Sequence, residues 1–303
     1  MKDEIAKVPA LNQTGLRDKK PAMVNSFAPF EIIEGPRDRG LVLLCDHARN
    51  TLPEPYGTLG LPAESFERHI AYDIGAEAVT RGLAARLGVP AVHSCFSRLL
   101  IDPNRGPDDP TIVMGLSDGE VIPGNHPLPP GELAHRLAHY HQPYHDAVDE
   151  MVSACMEAGP PPIIFSIHSF TPHWKGAARP WHATMLWDSD PRMARHILDG
   201  LVSDARLCVA SNEPYDGCLK NDTIYRHATA HGLSNGLIEI RQDLIADEAG
   251  AAQWVDRLAP LLEEALQQPN LRERRRYGSR ADGRMVSPSR LLDKAAMADY
   301  TPW

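Results

Sequence analysis

The chain has 303 residues, 43% hydrophobic and 23% charged, with a formal net charge of −9 at pH 7. That length holds one large α/β domain or two smaller ones, and the acidic surplus excludes the positive field that a nucleic-acid partner requires. Five dispersed cysteines without a CxxC pair point to reduced thiols in a cytoplasm, and no segment is apolar enough to span a bilayer.

Residues 1–25 mix charge, proline and glycine without a secretory apolar core, which predicts a loose leader. Phe30–Ile33 reads as a lead-in strand, and Gly35-Pro36 and Gly40 punctuate the turn after it. The run Leu41-Val42-Leu43-Leu44-Cys45 then stops abruptly at Asp46, His47, Ala48, Arg49 and Asn50. An uninterrupted apolar run suits a strand covered on both faces of a mostly parallel sheet. Such sheets bind ligands beyond the carboxyl ends of their strands, which puts Asp46, His47 and Asn50 where chemistry is done.

A proline-rich loop, 51–62, is expected along the rim of that site. Phe66, Ile70 and Ile74 recur at four-residue spacing and predict a helix, and Val79, Leu83 and Leu87 mark a second one. Asp73 reads first as the N-cap of the second helix; its other reading is a carboxylate facing the strand ends. Val89–Cys95 is the next predicted strand. Ser97–Arg105 is a short segment, apolar in the middle, that carries Arg98, Asp102, Asn104 and Arg105. Arginine is the side chain best shaped for two-point recognition of a carboxylate.

The long loop 106–130 has the length of a lid or a substrate-binding loop. A helix is predicted over 131–157, with His135 and His139, then His141 and His145, each four apart. Such pairs can bind metal from one helix face, but no glutamate follows the first histidine of either pair. His135 and His139 therefore read as solvated or capping, whereas His145 has an inward reading. Ile163–Ile167 is a strand ending on His168 and Ser169, and 170–181 is a loop expected to close over the site.

Further on, the pattern predicts strands over 182–187 and 207–210, a helix over 191–203, and a turn-rich loop, 212–217, that carries Tyr215. A helical stretch over 222–231 contributes Tyr225, Arg226 and His227. The strand Gly236–Ile240 carries Glu239 within an apolar run, which is costly unless the acid is paired or used. Pro260 is expected to kink or split an amphipathic helix over 251–267. Arg272, Arg274, Arg275 and Arg276 read as a solvated, partly ion-paired helix end, with a short helix near 290–297. Alternating strands and helices imply a three-layer α/β/α domain over 26–270 with a mixed, mostly parallel sheet, followed by a charged tail, 271–303. Two strand-end histidines, His47 and His168, and the strand-borne Glu239 read as a metallohydrolase site.

Seven motifs in order carry a resemblance: Cys-Asp-His-Ala-Arg-Asn (45–50), His-Ile-Ala-Tyr-Asp-Ile-Gly-Ala (69–76), Ser-Arg-Leu-Leu-Ile-Asp-Pro-Asn-Arg (97–105), Tyr-His-Gln-Pro-Tyr-His (140–145), Ser-Ile-His-Ser-Phe-Thr-Pro (166–172), Asn-Glu-Pro-Tyr (212–215) and Glu-Ile-Arg-Gln-Asp-Leu (239–244). Over roughly 30–266 the chain resembles the N-formylglutamate amidohydrolase family, whose fold is similar to that of the zinc carboxypeptidases (phosphorylase/hydrolase-like). The likeness implies a metal-dependent hydrolase of an N-formyl or other N-acyl amino acid, with zinc or another divalent metal as cofactor and a place in amino-acid catabolism such as histidine degradation. It makes His47 and His168 metal ligands, Glu239 the general base, and Arg98 the neighbour of the carbonyl oxygen under attack. Asn104 and Arg105 grip the substrate carboxylate, with His145, Tyr215 and Arg226 as further substrate contacts. The carboxypeptidase pattern has a glutamate three residues after its first histidine, and here that position is Asn50, a poorer zinc ligand. The third ligand is left open among Asp73, Asn50 and Asp46. An amidase for another N-acyl amino acid and a non-catalytic carboxylate-binding protein are the alternatives. A serine hydrolase is disfavoured by the absence of G-x-S-x-G.

Overall fold

The computed structural model describes residues 27–282, so the leader and the helix expected near 290–297 lie outside the described residues. One seven-stranded sheet organises the chain. Its strands are β1 (Phe30–Ile33), β2 (Leu41–Cys45), β3 (Ala91–Ser94), β4 (Ile163–Phe170), β5 (Ala183–Leu186), β6 (Val209–Ser211) and β7 (Asn235–Arg241). They lie in the order β1-β3-β2-β4-β7-β5-β6. Strands β3, β2, β4 and β7 are mutually parallel, while β1 runs against β3 and the β5–β6 pair runs against β7.

The organising strand is fully buried: Leu41 through Cys45 are each 0% exposed. Leu41, Leu43 and Cys45 face the core that holds helices α1 (Ala76–Leu87), α4 (Arg192–Val202) and α6 (Glu248–Leu266). Val42 and Leu44 face the opposite core, under α3 (Gln142–Ala158) and α5 (Thr223–His227). Period-two alternation in a strand with apolar layers on both sides demands this continuous run. Each such side chain contributes roughly 1.5–3 kcal/mol of burial. The three-layer α/β/α architecture with a mixed, mostly parallel sheet is the one the sequence implies.

Several local expectations are corrected. The stretch around Phe66, Ile70 and Ile74 is a 3-10 turn (Ala63–Glu67) followed by irregular chain. Its backbone is engaged elsewhere: Arg98 N and Ser97 Oγ donate to Ala71 O, and Asp73 N donates to His47 O. Residues 97–105 form turns, with Leu99, Leu100 and Ile101 buried as an apolar plug. Helix α6 runs unbroken through Pro260. Pro260 and Asp256 are both exposed, so water can solvate the carbonyl that lacks an intrahelical donor. The segment 222–231 holds only the short α5 and a 3-10 turn.

The helix over 131–157 is built as α2 (Glu132–Arg136), a π turn (Leu137–His141) and α3. Buried Arg136 donates to Leu100 O at 2.7 Å and to Asn125 Oδ1 at 2.6 Å, while Asn125 Nδ2 donates to Leu99 O at 2.7 Å. These bonds tie the loop 106–130 down as an outer wall, and none of its residues lines the cavity described below. The basic cluster sits on irregular chain and not on the expected ion-paired helix end: Arg272 reaches the carbonyls of Pro161 and Arg39, and Arg274 that of His231.

Candidate functional site

The parallel strands β2, β4 and β7 deliver the site. His47 follows β2 directly, His168 lies within β4, and Glu239 sits opposite His168 in the β4–β7 register. The sequence places the end of β4 at Ile167, but pairing with β7 carries the strand on to Phe170. His168 and Ser166 share the face that also takes Ile164, which turns them toward α3 and α5.

Three ligand atoms converge here: His47, His168 and Asp73 each offer one, all within 4.8 Å of one another, and all three residues are buried. His168 Nδ1 lies 2.8 Å and His47 Nδ1 3.3 Å from the same Asp73 oxygen, Oδ2. Each ring's other nitrogen is taken by a buried carboxylate. His47 Nε2 is 2.7 Å from Asp102 Oδ1, and His168 Nε2 is 2.9 Å from Asp46 Oδ2. With each Nε2–H donating outward to an acid, the two Nδ1 lone pairs and the Asp73 oxygen face one another. Three acceptors at such distances need positive charge among them, either protons or a single metal ion. A carboxylate bonded to the outer nitrogen of a ligating histidine fixes its tautomer and raises its basicity, as Asp102 and Asp46 do here, so the donor set fits a divalent metal.

The charges obey the same logic. Burial alone would raise the Asp46 and Asp73 carboxyl pKa values, but the two imidazoles outweigh it and hold both well below the usual carboxylate range. Burial likewise opposes ionisation of Asp102, and the Arg98 and His47 charges overcome it. For His168 burial favours the neutral ring, yet hydrogen bonds to Asp46 and Asp73 hold its pKa well above the ordinary histidine value.

Asp73 is not the N-cap its position predicts. The cap of α1 is Gly75, at φ 81° and without a side-chain capping bond. A Cβ there would fall 2.1 Å from Ile245 O, so the turn requires glycine and leaves Asp73 free to face the cluster. Asp46 stands behind the site as an anchor, accepting from Tyr144 Oη at 2.8 Å, Ser166 Oγ at 2.9 Å and Thr223 Oγ1 at 2.6 Å. Asn50 is turned away: its amide nitrogen donates to Phe66 O at 2.8 Å, and it does not line the cavity.

Beside the cluster opens a cavity of about 390 Å³. Glu239 lines it, 9% exposed, with Oε2 lacking any hydrogen-bond partner. Burial pushes its pKa up to about 7, against the pull of His168. Arg98 also lines it; its Nη2 donates to Asp102 Oδ2 at 2.7 Å, its Nη1 lies 3.5 Å from Asp73 Oδ1, and its Nε is buried without a partner. Asn104, Arg105 and Tyr215 complete the expected residues on the cavity wall.

His145 and Arg226 are not on that wall. His145 is 0% exposed: its Nε2 donates to Pro103 O at 2.9 Å, and its Nδ1 is 2.8 Å from His227 Nε2. His141 Nε2 donates to Arg105 O at 2.9 Å. These histidines clamp the backbone of 103–105 and so position Asn104 and Arg105 indirectly. Arg226, half-buried on short α5, is not among the lining residues.

Sequence reasoning missed Asp102, Tyr144, Ser166 and Thr223, whose role depends on contacts across up to 177 residues of separation. It also missed His69 and Asp222, which line the cavity, and Arg179, which bonds to two residues that do. Arg179 donates to Tyr215 Oη at 3.0 Å and to Thr171 Oγ1 at 3.1 Å, tying the loop after β4 to the Tyr215 loop. A signal for Asp102 was available, since an acid between two arginines in an apolar plug must be paired. None was available for the hydroxyls.

Among the described residues no helix is long and apolar enough to cross a membrane. The N-formylglutamate amidohydrolase family model matches residues 39–246. A gene product of Agrobacterium tumefaciens of known structure is similar at 36% identity and TM-score 0.74, over 80% of this chain and 96% of that one. An N-formylglutamate amidohydrolase from Ralstonia eutropha JMP134 shares the fold at 20% identity and TM-score 0.62, over 80% of this chain and 98% of that one. No curated protein matches the chain at the sequence level. Because the family model spans residues 39–246, more than half of the chain, the chain belongs to the N-formylglutamate amidohydrolase family.

Proposed function

We propose that the protein is a metal-dependent amidohydrolase that cleaves the amide of an N-formyl or other N-acyl amino acid. The observation that carries this reading is the convergence of His47 Nδ1, His168 Nδ1 and Asp73 Oδ2 beside an unpartnered buried carboxylate, Glu239. Zinc or another divalent ion, held by His47, His168 and Asp73, supplies Lewis acidity toward water and the substrate carbonyl when bound.

The chain's own residues do the rest. Glu239 takes a proton from the attacking water at Oε2 and returns it to the leaving nitrogen, so that amide and water become acid and amine. Arg98, fixed by Asp102, places positive charge on the cavity wall where the carbonyl oxygen gains negative charge. Arg105 presents its planar fork to the substrate's α-carboxylate, with Asn104 beside it; the histidine clamp at 103–105 holds both. Tyr215, tied to Arg179, borders the mouth.

The test is amine and carboxylate release from a series of N-formyl and N-acetyl L-amino acids, with and without chelator. Release that chelator abolishes and added metal restores supports the reading. Release unaffected by chelator, or binding of these compounds without release by metal-loaded protein, overturns it.

A further inference from the structure

We infer that the substrate side chain taken by this cavity is uncharged, so that a neutral N-acyl amino acid is preferred to a dicarboxylic one; the inference rests on the amidohydrolase reading above. Among the described residues every cation on the cavity wall is accounted for. Apart from the two cluster histidines, the wall holds Arg98, Arg105 and His69 as cationic or potentially cationic groups. Arg98 is matched by Asp102 at 2.7 Å and Asp73 at 3.5 Å. Burial favours the neutral form of His69. Arg105 remains, with Nη1 on Asn104 O at 2.9 Å and Nε 3.9 Å from Asp109. One guanidinium fork grips one carboxylate, and the α-carboxylate uses it.

The surroundings disfavour a second anion. Leu186, Ile224 and Leu237 form an apolar wall and are 7%, 4% and 6% exposed. Asp222 also lines the cavity, 4% exposed, and its carboxylate is engaged by Tyr225 N at 2.7 Å. Arg179 lies outside the cavity lining, with its guanidinium bonded to Thr171 and Tyr215 and set over the rings of Phe170, Trp174 and Tyr215. Around the cluster, Asp102 and Asp73 pair with the guanidinium of Arg98, and Glu239 lies on the same wall. A second carboxylate would be buried against aliphatic carbons and the acceptor oxygens of Asp222 and Glu239, with no cationic partner. A neutral side chain of equal length meets neither penalty.

N-Formyl-L-glutamine and N-formyl-L-glutamate isolate the charge, because they are nearly isosteric. Two readouts are needed: kcat/KM with metal-loaded protein, and calorimetric affinity with protein stripped of metal, where nothing is cleaved. The amide should bind more tightly and be cleaved with a kcat/KM at least about tenfold higher, and N-formyl-L-leucine should join it. Equal or better binding and cleavage of the glutamate compound overturns the inference and leaves the amidohydrolase reading intact. Tighter binding of the amide with no cleavage of any compound supports the charge preference and overturns the hydrolase reading. No binding and no cleavage of any compound overturns both.

Discussion

Two groups of buried histidines lie within this molecule, and they are wired differently. His47 and His168 cross at 84° with ring centres 4.9 Å apart, and each turns Nε2 to a carboxylate and Nδ1 to Asp73. His145 and His227 stack at 5.1 Å and bond to each other, to Pro103 O and to Asp149, while His141 reaches Arg105 O. In the first group three acceptors are left facing one point. In the second the bonded nitrogens close on one another, on backbone or on Asp149, and no set of lone pairs converges. The i, i+4 pair His141 and His145 has the spacing of a metal motif, but its contacts are those of a clamp. What decides a histidine's role is the partner of its second nitrogen.

The comparison can be broken by substitution, and the largest effect should come from the carboxylate beside the first group. Glu239→Gln keeps the shape and removes the proton acceptor, so kcat should fall by about 10²–10⁴. Metal content and melting temperature should change little. Activity within a few-fold of wild type would remove Glu239 from the proton path; loss of metal would make it a ligand.

Next come matched lesions behind each group. Asp46→Asn weakens the partner of His168 Nε2 and should lower metal affinity by about 10–100-fold, read by titration against a chelating dye. His145→Ala orphans Pro103 O and the His227 ring, costing about 1–3 kcal/mol of stability by denaturant unfolding. Its metal affinity should stay at the wild-type value. Equal metal losses in both variants would erase the distinction between the groups.

Arg105→Lys sharpens the account of the clamp. It keeps the charge and loses the fork, so KM should rise by roughly tenfold with kcat nearly unchanged. A fall in kcat at constant KM would point to a role at the reacting carbonyl. The smallest effect belongs to Asn50→Ala, which loses a bond to Phe66 O worth about 1 kcal/mol. Metal content should not change, and a measurable drop would restore Asn50 as a ligand.

The sheet was legible because β2 and β4 are apolar runs with no competing pattern, and β7 is an apolar run broken only by Glu239. A strand buried on both faces has to look this way. His47, His168 and Glu239 were legible for the same reason: a polar residue at or within such a run must be used or paired. Asp73 was half legible, because a carboxylate before a helix has an ordinary capping role. Only the close approach of Gly75 to Ile245 O separates the two readings. The regions around 66–74 and 97–105 misled because periodic apolar residues can plug a loop as well as face a helix or strand. There the backbone bonds to Ala71 O and His47 O decided the structure, and those partners are distant in sequence. The Asp46 anchor drew on Tyr144, Ser166 and Thr223, three elements whose meeting no local pattern announces.

The central claim is that His47, His168 and Asp73, and not the helix histidines, hold a metal ion. Elemental analysis of purified wild type, His47→Ala, His168→Ala, Asp73→Ala and His145→Ala, each first shown to be folded by circular dichroism, tests it directly. The wild type and His145→Ala should carry about one equivalent of divalent metal per chain, and the three cluster variants should carry almost none. Equal metal in all five proteins, or its selective loss from His145→Ala, would contradict the account.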